Sequence, residues 1–135
     1  MSRFNDKIVA EFRANNGYVE TNGFRDTLII LHTLGAQSGR QRVNPVMALP
    51  NDDGSWVIAA AAKGSPKTPG WAANLRAQPD ARIETGSAEI DVRAEELAGP
   101  ERDAAWARFV DFTDAFLTYQ EQAGRLIPLI KLTPR

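Results

Sequence analysis

The chain has 135 residues, 43% of them hydrophobic and 24% charged, and a formal net charge of −1. That length suits one domain with a real hydrophobic core, and the near-neutral balance excludes a disordered chain and a nucleic-acid binder, so any anion site has to be local. With no cysteine and a single histidine, His32, it has no disulfide, thiolate nucleophile, iron–sulfur cluster or multi-histidine metal site to offer.

Phe4, Ile8, Val9 and Phe12 recur at helical spacing, with Lys7, Glu11 and Arg13 between them, and Asn15-Asn16-Gly17 supplies a helix stop. A short amphipathic helix is expected, and docking on its own domain is favoured over peripheral membrane contact. Residues 1–26, this helix and its connection, then precede a domain of residues 27–135. The opening residues lead into no apolar stretch long enough for a signal peptide, and no apolar run could span a bilayer. The cytoplasm is the expected location, with membrane association only if the helix binds a surface.

From Thr27 the pattern turns to strands. Leu28-Ile29-Ile30-Leu31 is a β-rich run ending at His32-Thr33, followed by turn chemistry at Gly35-Ala36-Gln37-Ser38-Gly39. Val43 to Leu49 reads as a second strand, which Pro45 should place at an edge or a bulge because proline donates no ladder bond. Asn51-Asp52-Asp53-Gly54 is a turn, and Trp56 to Ala62 a third, central strand. Lys63 to Pro69 is a loop and Gly70 to Gln78 a short helix stopped by Pro79. Arg82 to Thr85 is a fourth strand. Ala88, Ile90, Val92 and Ala94 alternate with charged residues in a fifth. A helix starts near Pro100, further helical turns carry Phe116, Leu117 and Tyr119, and Ile127 to Thr133 closes as a sixth strand. This is an α+β, mainly β, barrel-like domain with an N-terminal helix and inserted helices.

Chemistry-bearing side chains are few. The segment Gly35 to Pro45 combines turn glycines, the Ser38 hydroxyl, Arg40 and Arg42, a set that can face phosphate or carboxylate, though a solvated basic hairpin has the same pattern. Ala60-Ala61-Ala62-Lys63-Gly64 leaves space beside the backbone for a flat ring, with positive charge next to it. Trp71 and Asn74 share a face of the short helix. His32, after four apolar residues, reads as a hydrogen-bonded structural histidine rather than a general base. No serine elbow, paired carboxylates or dinucleotide fingerprint is present. No catalytic side chain is expected, so an enzyme of this kind takes its reactivity from a cofactor.

The ordered blocks His32-Thr33-Leu34-Gly35, Ser38-Gly39-Arg40, Arg42-Val43-Asn44-Pro45, Lys63-Gly64, Pro69-Gly70-Trp71, Asn74-Leu75-Arg76 and Gln78-Pro79 resemble the deazaflavin-dependent nitroreductase and F420H2-dependent quinone reductase family. So does the ending Ile127-Pro128-Leu129-Ile130 with Leu132-Thr133-Pro134-Arg135, and the resemblance runs from about Thr27 to the last residue. It implies a six-stranded split β-barrel of the FMN-binding type, found mainly in actinobacteria, that uses coenzyme F420 to pass a hydride to a quinone or activated nitro compound. Carried over by position, Ser38, Gly39, Arg40, Arg42, Val43, Asn44, Lys63 and Gly64 would hold the cofactor's phosphate and oligoglutamate tail. Pro45, Ala60 and Ala62 would line its ring, and Trp71 and Asn74 would close the site. Met47, Phe116 and Tyr119 would shape the acceptor pocket, in a composition that favours a quinone. F420 is favoured over FMN, and no metal is implied. The partners implied are a small-molecule hydride acceptor and, at most, a second copy in a weak homodimer. The alternative is a split barrel that stores or carries F420, FMN or haem without turnover.

Overall fold

A computed structural model describes residues 3–61, 64 and 66–135. Among these, six strands form a closed barrel: β1 (Leu28–Leu34), β2 (Gln41–Pro50), β3 (Trp56–Ala59), β4 (Asp80–Glu84), β5 (Glu89–Glu96) and β6 (Leu129–Pro134). Around the barrel the order is β1-β2-β3-β6-β5-β4, and every neighbouring pair is antiparallel. Closure pairs both sides of the sheet and leaves no long free edge. Helix α1 (Arg3–Ala14) precedes the barrel, α2 (Gly70–Ala77) links β3 to β4, and α3 (Gly99–Phe112) with α4 (Ala115–Ala123) links β5 to β6.

The period-two rule sorts the strand residues into layers. Ile29 and Leu31, Val46 and Ala48, Ile58 and Ala60, Ala81 and Ile83, Val92, and Ile130 and Leu132 form one buried cluster, the barrel interior, which Trp71, Ala72 and Leu75 of α2 join. The opposite faces are covered from outside. Val57 and Leu129 pack with Ala105, Phe109 and Phe116 of α3 and α4. Leu28 and Ile30 pack under Ile8, Val9 and Phe12 of α1. The apolar face of α1 is thus spent on the barrel, and only Phe4 of its four apolar positions stays 38% exposed.

Two local features show sequence setting geometry. Pro45 pairs with Ile30 of β1. The amide of Ala48 donates to Thr27 on the β1 side, so by strand alternation the nitrogen of Pro45 faces the other flank. That flank is open there, because β3 pairs with β2 only from Ala48 to Pro50. The missing N–H therefore costs no ladder bond. At the end of α1, a Cβ on Gly17 would stand 2.7 Å from the Cα of Gly86 in the β4–β5 turn. Only glycines let these two backbones approach so closely, and Gly17 also needs its φ of +93°.

Element limits differ modestly from the sequence expectation. The first strand runs on through His32 and Thr33 to Leu34, because β2 pairs with it along that whole length. The third strand, expected to reach Ala62, ends at Ala59, with one further bond from the Ala60 amide to Pro128. Ala62 lies outside the described residues.

Candidate cofactor and acceptor site

A groove of about 710 Å³ opens between the β1–β2 turn with the first half of β2 on one side and the start of α2 on the other. Turn glycines shape the first wall. The Gly35 amide donates to the Arg40 carbonyl (2.7 Å), the Gly39 amide donates to the Gly35 carbonyl (2.9 Å), and Gly39 adopts φ +68°. The Ser38 hydroxyl accepts from the Arg40 amide at 3.2 Å. Ser38, Arg42, Val43, Asn44 and Pro45 line this wall, and Pro69, Gly70, Trp71 and Asn74 line the other. Arg42 is the only charged side chain among the described lining residues, and no carboxylate is among them. No side chain caps the N-terminus of α2, so its first N–H groups are left for solvent or an anion. The groove's volume is that of an ordinary ligand site.

Asn74 joins the two walls. Its Oδ1 accepts from the Ala36 amide at 2.9 Å, and its Nδ2 donates to the Thr33 hydroxyl at 3.1 Å.

Beside the groove, sharing Asn5, Pro45, Pro69 and Trp71 with it, lies an apolar chamber of about 240 Å³. Met47, Phe116 and Tyr119, the three residues expected at an acceptor pocket, all line this one chamber. Phe116 sits edge-on to Tyr119 with ring centroids 5.8 Å apart, and to Phe109 at 5.0 Å. Among the described lining residues no side chain carries a formal charge, and Tyr119 bears the only hydroxyl.

Several expected positions fall elsewhere. Ala60 points into the barrel interior and is fully buried, while its neighbours Ala59 and Ala61 line the chamber. Strand parity makes the difference: of three successive alanines, the middle one faces away. Gly64 packs on α4 rather than along the groove, with a Cβ there meeting Gln122 at 2.8 Å and Tyr119 at 3.3 Å. Gly39 and Arg40 occupy the turn but do not line the groove. Ala62 and Lys63 lie outside the described residues. Sequence reading missed Asn5 of α1 at the groove, and Phe4, Ile8 and Phe24 at the chamber. The contribution of Phe4, Asn5 and Ile8 comes from how α1 docks and that of Phe24 from the connection after it, neither of which residue pattern alone positions.

His32 lies on the outer face of β1, in a buried polar network. Its Nε2 donates to Glu84 Oε2 at 2.5 Å, and its Nδ1 accepts from the Gln41 amide at 2.9 Å. Glu84 is gripped in turn by Arg13, from Nε at 3.0 Å and Nη2 at 2.7 Å. The bidentate Arg13 contact, helped by His32 against the effect of burial, holds the Glu84 carboxyl below its ordinary range. His32 lines neither the groove nor the chamber. A folded His32→Gln protein is therefore expected to keep most of its turnover with a quinone while melting earlier. Loss of turnover with an unchanged fold by circular dichroism would instead make His32 a proton donor.

Residues 2–134 match the family described as F420H(2)-dependent quinone reductase. The chain belongs to that family. It is an oxidoreductase, and its cofactor is coenzyme F420. An F420H(2)-dependent quinone reductase of Mycobacterium tuberculosis (strain H37Rv) is 32% identical over 111 residues, covering 79% of this chain and 73% of the relative. A solved F420-H2 dependent reductase, FDR-A, superposes with a TM-score of 0.71 at 32% identity, covering 78% of this chain and 93% of its own. A structure described as a domain-swapped dimer reaches 0.73 at 28% identity, covering 94% and 92%. The haem-storage protein HutZ of Vibrio cholerae, at 17% identity and a TM-score of 0.59 over 94% of this chain and 87% of its own, shares the fold alone. The groove fits F420. A phosphate with an acidic tail suits Arg42, the Ser38 hydroxyl and the uncapped start of α2, with no carboxylate among the described lining residues, and a flat ring suits Trp71 and Pro45.

Proposed function

We propose that the groove holds reduced F420 with its phosphate and acidic tail along Ser38 to Asn44 and its ring at the Pro45–Trp71 junction, and that the chamber receives a quinone. The observation that carries this reading is the shared wall. A polar arm without carboxylates and an apolar chamber meet at Asn5, Pro45, Pro69 and Trp71. A protein that only carried a cofactor would need the groove and not the chamber beside it.

Bound there, the deazaflavin supplies the hydride. The chain's own residues do the rest by placement. Arg42, the Ser38 hydroxyl and the uncapped start of α2 anchor the charged end, Trp71 and Pro45 limit where the ring can lie, and Met47, Phe116 and the flanking alanines keep water from the acceptor. Tyr119 offers a hydroxyl at the chamber wall to hydrogen-bond the acceptor oxygen. An apolar chamber suits a quinone ahead of a nitro compound, whose polar group would find little besides Asn5 and Tyr119.

Residues 27–135 form the cofactor-binding domain in this reading, with residues 1–26 as its cover, acting in the cytoplasm as a monomer or weak homodimer. The relative described as a domain-swapped dimer supports the second copy. No helix among the described residues is long and apolar enough to cross a membrane. Burial of Ile8, Val9 and Phe12 leaves α1 little apolar surface for a bilayer.

Arg42→Ala tests the placement. Arg42 is exposed, so its charge-assisted contact is worth about 1.5 kcal/mol, at the low end for such bonds, and the Kd for F420 should rise about tenfold. Binding should also weaken with salt. Wild-type affinity in a fluorescence titration would place the acidic tail elsewhere.

A further inference from the structure

Thr33 stands at the inner face of β1, buried to 4% exposure, and touches neither the groove nor the chamber. Its hydroxyl nevertheless meets a side chain that spans the groove's two walls. The Ala36 amide can only donate, so Asn74 must turn Oδ1 toward it. That turns Nδ2 toward Thr33, whose oxygen accepts at 3.1 Å and gives the Asn74 side chain a second anchor on β1. Ala36 itself is exposed at the turn.

We propose that Thr33 is a positioning residue for the cofactor's phosphate: through Asn74 it sets the gap between the β1–β2 turn and α2. The proposal rests on the reading of the groove as the F420 site. Without the Thr33 hydroxyl, Nδ2 of Asn74 loses its partner, the side chain is held by the Ala36 amide alone, and the tie between the turn and α2 loosens. The turn then meets the phosphate from a range of positions rather than one, and part of the binding free energy goes into ordering it.

The test uses two ligands, F420 and its fragment FO, which keeps the deazaflavin ring and ribityl chain but lacks the phosphate and tail. Thr33→Val replaces the hydroxyl by a methyl group of similar shape inside an apolar barrel, so the melting temperature should barely move. The Kd for F420 is expected to rise several-fold, the Kd for FO to stay within twofold, and Thr33→Ser to restore F420 affinity. The hydrogen exchange of the Ala36 amide, measured without ligand, should be slowed in wild type and quicken in Thr33→Val. Should Thr33→Val not fold, Asn74→Ala carries the same exchange expectation from a partly exposed position on α2. Unchanged F420 affinity in Thr33→Val, equal losses for F420 and FO, or an unprotected Ala36 amide in wild type would each overturn the proposal. Wild-type protein that binds FO but gains nothing from the phosphate and tail would instead overturn the reading of the groove.

Discussion

Trp71→Ala is expected to lower the turnover of reduced F420 with menadione by about 100-fold, since a displacement of 1 Å between reacting groups can cost that much. Trp71 is one of the four residues that the groove and the chamber share, and it is 9% exposed. Truncating it removes a wall from both compartments at once. Ring and acceptor then each gain room to slide, and water gains a path between them. The same side chain also packs in the barrel interior, where losing a tryptophan costs about 3–5 kcal/mol. Stability and chemistry must therefore be read apart. Circular dichroism at the assay temperature establishes the fold, and the Kd for F420 and the kcat are measured on folded protein. Trp71→Phe, which keeps a flat apolar wall, should recover most of the rate. A folded Trp71→Ala enzyme that turns over like wild type would show that the ring is held by something other than this wall.

Much of the fold was legible in the sequence because strand chemistry and turn chemistry leave local marks. Alternation from Ile90 to Ala94 marks a strand with one wet face, and β5 shows it, with Val92 buried between exposed Asp91 and Arg93. Pro45 predicts an edge or bulge for β2, whereas β2 is paired on both sides in the closed barrel and its proline nitrogen faces only a locally open flank. Turn glycines marked the β1–β2 hairpin for the same kind of local reason. What stayed hidden depends on how separate elements meet. In an all-apolar run such as Trp56 to Ala62, no polar residue marks the face, so the pattern does not say which of Ala59, Ala60 and Ala61 borders the chamber. Asn5 and Phe4 reach the site only because α1 lies against β1 and β2, a docking that its amphipathic pattern implies but does not aim. The Arg13–Glu84 pair joins residues 71 positions apart, and no spacing rule connects them.

Glu84→Gln is expected to be strongly destabilising for a polar substitution. The carboxylate takes two bonds from Arg13 and one from His32 with only 8% of the residue exposed, so it ties α1, β1 and β4 together at one point. Gln keeps the shape but loses the charge, and it presents an amide donor where only acceptors serve. Breaking a buried charged network costs 3–5 kcal/mol, but Arg13 is 53% exposed and can turn to water, so about 2–3 kcal/mol is the expected loss. At this chain length that corresponds to a melting point lower by roughly 5–10 °C. The effect has a signature in pH. The Glu84 carboxyl titrates below its ordinary value of 4.5 when folded. Its contribution is therefore complete above the unfolded value and is lost as pH falls through the folded one. Melting curves of wild type and Glu84→Gln should stay separated by a constant gap down to about pH 5 and converge below about 4.5. A gap that persists undiminished into acid would mean that shape, not charge, holds α1 to the barrel.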